Sequence, residues 1–171
     1  MVQKIEVIEK EIGNTLEIYE EIPVTQMPKV MAADFKKIVD YQKSNENTEL
    51  AASPYTRYLD VDWESEMKKS FFANFFGVFT RKWKMLIGFP ISKEIAGKEN
   101  IKHAVYHNKK FVKTLHKGPY QKVGETYKAM FAYIKENELI PENESFEFYL
   151  NDPHKVKKEE LETEVLIPIK N

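Results

Sequence analysis

The sequence carries one pattern twice, and this internal repeat constrains the fold more than any other feature. Apolar residues recur at the spacing of one helix face within residues 28–45 and again, 92 positions later, within residues 118–137. The matched pairs are Met31 with Val123, Phe35 with Tyr127, Ile38 with Met130, and Val39 with Phe131. The repeat predicts a chain built from two similar units.

Short strand-like segments surround both helices in the same order. "YTRYLDVD" (55–62) is echoed by "FEFYLNDP" (146–153), and "IGFPI" (87–91) is echoed by "VLIPI" (165–169). Two strand-like runs around a turn also precede each helix. We predict an α+β fold of duplicated strand–helix–strand–strand units, each with an extra strand before it. Together they should form one antiparallel sheet with helices on one face and a ligand cleft between the halves.

The chain of 171 residues is predicted to form a single domain, with pseudo-repeats at about residues 1–97 and 98–171. The first copy is longer because it contains an aromatic insert at about residues 65–84. The insert either packs on its own core, covers a pocket, or binds a protein partner or a second copy of the chain. Its phenylalanines at the spacing of one helix face are Phe72, Phe75, Phe76 and Phe79.

Charge and composition exclude several functions. With 26 Lys and Arg against 27 Asp and Glu, the overall charge provides no reason to bind nucleic acid directly. The absence of cysteine excludes thiolate catalysis and disulfides, and the 4 histidines lack metal-ligand spacing, so no metal or cofactor is expected. The N-terminal segment lacks the continuous apolar run typical of a signal peptide, and the longest apolar run, "MLIGFPI" (85–91), is too short to span a membrane. We therefore expect a cytoplasmic protein without membrane association.

Glu164 is the one acid within the strand-like segment "EVLIPI" (164–169). Because side chains alternate along a strand, Glu164 is predicted to lie opposite the aliphatic residues that pack beneath the helices. Those residues are Val165, Ile167 and Ile169. The counterpart of Glu164 in the first half is Leu86, so the acid occurs in the second copy only.

The segment "SFEFYL" (145–150) determines the predicted surroundings of Glu164. Glu147 and Tyr149 are assigned to the face away from the core, and hairpin pairing with the last strand then places Tyr149 beside Glu164. The residues assigned to the core face are Phe146, Phe148 and Leu150.

Two interpretations of that non-core face remain open. Spacing alone favours a solvated sheet face, on which a glutamate needs no explanation. The alternative is a concave cleft between the halves, with aromatic walls and with Glu164 at its floor. The residues predicted to form this cleft are Glu164, Leu86, Tyr58, Tyr149, Trp63 and Trp83.

Three segments of the second half resemble the GyrI-like small-molecule-binding family, also called the bacterial transcription-activator effector-binding domain. They are "HKGPYQKVGETYKAMFAYIKEN" (116–137), "FEFYLNDP" (146–153) and "EELETEVLIPI" (159–169). The resemblance is good over about 60 C-terminal residues and looser over the first half. It implies a cleft that binds aromatic, often cationic, compounds with stacked aromatic residues and one glutamate. Glu164 matches that glutamate, and Tyr149 matches a cleft tyrosine.

The resemblance implies three functions. The first is binding of aromatic or cationic hydrophobic compounds, including multidrug binding, for sequestration or for sensing in transcription regulation. The second is hydrolysis of reactive genotoxic compounds, with Glu164 as the catalytic residue if burial raises its pKa toward neutrality. The third is interaction with a protein, as in gyrase inhibition. We rank binding above catalysis because no second acid or base is evident, and we expect a stand-alone member because strand-like sequence begins by residue 4.

Overall fold

The computed structural model describes residues 3–45, 48–63, 65 and 81–170. Its strands are β1 Glu6–Lys10, β2 Gly13–Pro23, β3 Tyr55–Tyr58, β4 Lys82–Pro90, β5 Ile101–Tyr106, β6 Lys109–Lys117, β7 Ser145–Tyr149 and β8 Glu162–Pro168. Its two long helices are α1 Met27–Lys43 and α2 Val123–Glu136. The strands form one eight-stranded antiparallel sheet in the order β1-β6-β8-β7-β3-β4-β2-β5. The predicted α+β fold with duplicated strand–helix–strand–strand units is confirmed.

Most of the predicted aromatic insert, residues 66–80 with its four phenylalanines, lies outside the described residues. Its predicted C-terminal end, residues 82–84, belongs instead to β4, so Trp83 is a strand residue. The proposed roles of the insert and the boundaries of the pseudo-repeats stay predictions. No helix among the described residues is long and apolar enough to cross a membrane.

Both helices pack on the same face of the sheet, which we term the outer face. Phe35 and Ile38 of α1 pack against the strands of the first unit, and Met130 and Ile134 of α2 pack against those of the second. Every residue of the two predicted helical stripes lies in these clusters or in the adjoining one beneath α1. The predicted stripes are therefore the faces that meet the sheet.

The two extra strands are exchanged between the units. β1 pairs with β6 of the second unit, and β5 pairs with β2 of the first. The links at residues 11–12 and 107–108 are therefore not hairpin turns, because each crosses from one unit to the other. Each half of the sheet is completed by a strand that the other half supplies.

The opposite face of the sheet, termed the inner face, is also buried. The sheet curls toward this face, and one contact across it shows the curl. Arg57 of β3 donates to the Tyr106 hydroxyl of β5, three strands away, at 2.8 Å. Flat strands at ~4.8 Å spacing would separate their positions by about 14 Å. The buried residues that pack together on the inner face are Tyr55, Phe111, Phe146, Phe148 and Leu166.

Gly88 of β4 leaves the space that the Tyr55 ring fills on the inner face. A Cβ atom at position 88 would lie 2.8 Å from Tyr55 Cζ and 3.0 Å from the Leu16 carbonyl oxygen. Tyr55 is fully buried and donates a hydrogen bond to Glu17, so its ring cannot move aside freely. We expect Gly88→Ala to lower the free energy of unfolding, measured in urea, by about 1–3 kcal/mol.

Gly124 in α2 provides the matched control for this substitution. A Cβ atom there meets nothing within 4 Å. Gly124→Ala should therefore raise the free energy of unfolding by about 0.5–1 kcal/mol, as expected for an unhindered helix position. A Gly88→Ala protein as stable as the parent would show that the inner face tolerates the extra methyl group.

Candidate ligand-binding site

The register of β7 and β8 places Glu164 and Tyr149 on opposite faces of the sheet. Phe148 pairs with Glu164, and Tyr149 pairs with Thr163. Directly opposite residues project to the same face, so Glu164 shares the inner face with Phe148. The prediction that Tyr149 and Glu164 lie on one face is therefore wrong. The reason is that Phe146 and Phe148, assigned to the core beneath the helices, pack in the inner-face cluster instead.

On the inner face, Glu164 lies between two lysines. Its carboxylate accepts a hydrogen bond from Lys10 and pairs with Lys113 Nζ at 3.0 Å. Burial alone would raise the pKa of Glu164, but the hydrogen bonds and charges of the two lysines lower it below the ordinary value, which is opposite to the rise that catalysis by Glu164 would require. A cavity of about 220 Å³ adjoins the pair, and Lys10 Nζ lies 4.6 Å from the Phe148 ring centroid. Glu164 thus already has cationic partners, and a ligand role for it stays a prediction.

Leu86 also faces inward, where it lies opposite Arg57 of β3. A second cavity of about 370 Å³ opens near it and is lined in part by Tyr19 and Glu144. The six residues predicted to form one cleft are therefore divided between two faces. Glu164 and Leu86 lie on the inner face, away from the four predicted aromatic residues.

The four predicted aromatic residues do come together, on the outer face between the two helices. Tyr149 contacts Phe35 of α1 with ring centroids 6.1 Å apart. Trp63 stacks on Tyr127 of α2 with ring centroids 5.4 Å apart. We term this region the aromatic groove, formed by Phe35, Tyr58, Trp63, Trp83, Tyr120, Tyr127 and Tyr149.

Glu147 of β7 lies at the floor of the aromatic groove, at the centre of the sheet. It is 6% exposed, and the Tyr127 and Tyr149 hydroxyls donate to its two carboxylate oxygens at 3.0 Å and 3.4 Å. No lysine, arginine or histidine of the described residues forms an ion pair with it. Burial raises the pKa of Glu147 to about 7, although the two tyrosine hydrogen bonds oppose the rise.

The tyrosines around Glu147 are neutral hydrogen-bond donors. Burial raises the pKa of Tyr58, Tyr127 and Tyr149 well above the ordinary value, and the charge of Glu147 adds to the rise. Their hydroxyls therefore stay protonated across the physiological range. The groove combines a titratable acid with uncharged aromatic walls, and these walls bury the acid almost completely.

A buried histidine positions one wall of the groove. His116 Nδ1 lies 2.7 Å from Thr126 Oγ1, and its Nε2 lies 3.2 Å from the Pro119 carbonyl oxygen. Because that carbonyl only accepts, Nε2 carries the proton in the neutral ring. These bonds fix the turn before α2, where the Tyr120 ring contacts Tyr149 with centroids 5.6 Å apart.

Sequence reasoning missed Glu147 and Tyr127 as site residues, although signals for both were present. Tyr127 takes the stripe position that Phe35 holds in the first helix, and a buried tyrosine hydroxyl requires a partner. Glu147 lies on the same face as Tyr149, as predicted, but that face meets the helices. The buried acid beside Tyr149 is therefore Glu147, whereas the resemblance had been matched to Glu164.

Several solved structures share this fold. The EcmrR C-terminal domain matches with a TM-score of 0.78 and 19% identity, covering 100% of this chain and 99% of that one. In the EcmrR–DNA complex the TM-score is 0.72 at 18% identity, covering 98% of this chain but 58% of EcmrR. A hydrolase from Listeria innocua matches with a TM-score of 0.60 and 15% identity, covering 98% of this chain and 92% of the hydrolase. SAV2435 bound to tetraphenylphosphonium matches with a TM-score of 0.56 and 16% identity, covering 97% of this chain and 94% of SAV2435.

At these identities the structural likeness establishes the fold and not the ligand. No curated protein matches the sequence. The family model described as the GyrI-like small molecule binding domain matches residues 20–170. Because that match spans most of the chain and the fold agrees with it, this chain belongs to the GyrI-like small-molecule-binding family.

Proposed function

We propose that this protein binds small hydrophobic cations with aromatic rings in the aromatic groove, with Glu147 as their counter-ion, for sequestration or sensing. The observation that carries the proposal is a buried carboxylate, enclosed by aromatic rings, that lacks a cationic partner among the described residues. Ionising such a group is costly unless a cation pairs with it. A cationic ligand restores the pairing, and each aromatic face adds about 0.5–2 kcal/mol of cation–π attraction.

The inner face provides an internal comparison for this arrangement. Glu17 is 3% exposed and, like Glu147, accepts hydrogen bonds from two tyrosine hydroxyls, those of Tyr55 and Tyr106. There the chain supplies its own cation. Burial raises the pKa of Glu17 and the charge of Arg57 opposes that rise, with the guanidinium carbon 4.9 Å from the Tyr106 ring centroid. Glu147 has the acid and the tyrosines without the guanidinium, which supports a ligand in that position.

Two of the similar structures support the class of ligand and the role. SAV2435 is bound to tetraphenylphosphonium, a hydrophobic aromatic cation. EcmrR has been solved in a complex with DNA, which supports sensing as one use of the domain. We propose the same class of ligand for this chain because its groove contains a buried acid that can pair with a cation.

Binding should weaken as the pH falls through about 7. Only the ionised form of Glu147 attracts a cation, and the pKa of Glu147 is about 7. The affinity for tetraphenylphosphonium should therefore fall about tenfold between about pH 8 and about pH 6. Isothermal titration calorimetry over a pH series measures this, with neutral triphenylphosphine oxide as a control whose affinity should change little. A cation affinity that does not depend on pH would contradict the role of Glu147.

Hydrolysis of a reactive electrophile is a second candidate function, favoured by one observation. A glutamate whose pKa is about 7 can accept a proton from water near neutral pH, as a general base must. The test is chemical turnover of a strained substrate such as styrene oxide, followed by chromatography. Diol formation that Glu147→Gln abolishes would support catalysis, whereas binding without turnover would support the first proposal.

A further inference from the structure

The aromatic groove contains polar groups that have no hydrogen-bond partner. Four of the described residues have a buried side-chain polar atom without a partner. Three of these atoms belong to the outer face at the groove: Thr56 Oγ1, Thr163 Oγ1 and Trp83 Nε1. Because buried polar atoms are normally paired in native proteins, their concentration at one place indicates a partner that the described residues do not supply.

Thr56 lies directly beside the proposed counter-ion. Thr56 and Glu147 are register partners between β3 and β7, so their Cβ atoms lie about 4.5–5.5 Å apart on one face. The repeat relates the same two positions, because the offset from Tyr58 to Tyr149 also leads from Thr56 to Glu147. The groove floor therefore has a carboxylate from one unit and a hydroxyl from the other, side by side.

The neighbouring groups do not satisfy the Thr56 hydroxyl. Thr56 is 0% exposed, so bulk water does not reach it. The Thr56 hydroxyl lies close enough to the Tyr149 hydroxyl to lower the pKa of Tyr149, but the two groups do not meet the geometry of a hydrogen bond. Thr163 of β8, the register partner of Tyr149, also has a buried hydroxyl without a partner among the described residues.

We infer that the ligand carries a hydrogen-bond acceptor close to its positive charge and that Thr56 donates a hydrogen bond to this acceptor. The inference rests on the proposed cation site at Glu147. A donor group on the ligand would be accepted better by the Glu147 carboxylate, so the distinct contribution of the hydroxyl is donation. Trp83 Nε1, which can only donate, also has no hydrogen-bond partner within the described part of the chain. The preferred class is therefore aryl cations with an ether, carbonyl or ring-nitrogen acceptor near the charged centre, rather than purely hydrocarbon cations.

The test compares two cations that differ by one oxygen, 3-methoxy-1-methylquinolinium and 3-ethyl-1-methylquinolinium. Calorimetry at about pH 8 should show that the parent protein binds the methoxy compound about fivefold more tightly, as expected for one buried hydrogen bond. Thr56→Val keeps the side-chain shape and should remove this preference while leaving the affinity for the ethyl compound unchanged. Thr56→Ser, which keeps the hydroxyl, should retain the preference. The comparison is repeated with the methoxy and ethyl groups at each of the remaining ring carbons, because the oxygen must lie within reach of Thr56.

The outcomes separate this inference from the function on which it rests. The role of Thr56 is overturned if Thr56→Val still prefers the methoxy compound. It is also overturned if the parent protein shows no preference for methoxy over ethyl at any ring position. In that case, if Glu147→Gln no longer binds either cation, the assignment of Glu147 as the counter-ion is still supported. Equal binding of both cations by Glu147→Gln and by the parent overturns the proposed function. Failure of the parent protein to bind either cation overturns both.

Discussion

Replacing Arg57 with methionine is expected to lower the free energy of unfolding by about 3 kcal/mol. Arg57 Nε donates to Glu144 at 2.9 Å, and its Nη1 donates to the Tyr106 hydroxyl at 2.8 Å. That hydroxyl donates in turn to Glu17 at 2.6 Å. Removing one member of a buried charged pair costs about 3–5 kcal/mol, and the lower end applies because Lys109 remains 4.0 Å from Glu144.

Urea denaturation near neutral pH measures this loss. The matched control is Lys37→Met, because Lys37 and Glu99 form an exposed pair with side chains 41% and 65% accessible, and solvent and salt screen such pairs. The loss of stability in Arg57→Met should be smaller in acid, where Glu17, whose pKa is raised by burial, becomes neutral and needs no cation. A loss no larger than that of the control would show that the inner-face network does not stabilise the curled sheet.

Glu147→Gln is expected to weaken tetraphenylphosphonium binding by about 5–150-fold, because it removes the charge-assisted pairing worth about 1–3 kcal/mol. Binding of neutral triphenylphosphine oxide should change little. Glu164→Gln is the matched control, since Glu164 lies on the inner face and already pairs with Lys10 and Lys113. Equal losses of cation affinity in the two variants would contradict the assignment of the counter-ion to Glu147.

The same substitution should stabilise the ligand-free protein at high pH. The folded-state pKa of Glu147 is about 7 against an ordinary 4.5, so between these values the folded state keeps a proton that the unfolded state has released. Stability therefore falls as the pH rises through this window, by about 3 kcal/mol in total, and the loss is complete above the folded-state pKa. Glutamine cannot ionise, so the melting temperature of Glu147→Gln should exceed that of the parent at about pH 8 and match it near pH 4.

The internal repeat made the helices and the general fold predictable. Matching stripes such as Phe35 with Tyr127 occupy the helix faces that meet the sheet in both units. The assignment of sheet faces failed because both faces of this sheet are buried. Phe146 and Phe148 pack in an aromatic core formed by curling of the sheet, and their alternation cannot reveal which face carries the helices.

The same ambiguity led to the prediction that Glu164 lies on the face of Tyr149, where the structure has Glu147. Glu147 and Glu164 both lie in strand-like segments with apolar neighbours, and only the register between β7 and β8 separates them. That register depends on the packing of the inner face against β5 and β1, which are far apart in the sequence. The partners of Arg57, Glu17 and Thr56 depend on the same long-range pairing, so no local pattern identified them.

The strand exchange determines when this chain can begin to fold during synthesis. Glu6 pairs with Lys113, so the first strand leaves the ribosome roughly 5–20 s before its neighbour, at elongation rates of ~5–20 residues per second. Until then Tyr55 lacks its buried neighbours on the inner face, which are Phe111, Phe146, Phe148 and Leu166. Although the sequence carries the unit twice, each copy takes one strand from the other, so neither half of the sheet has all of its strands until the second copy has emerged.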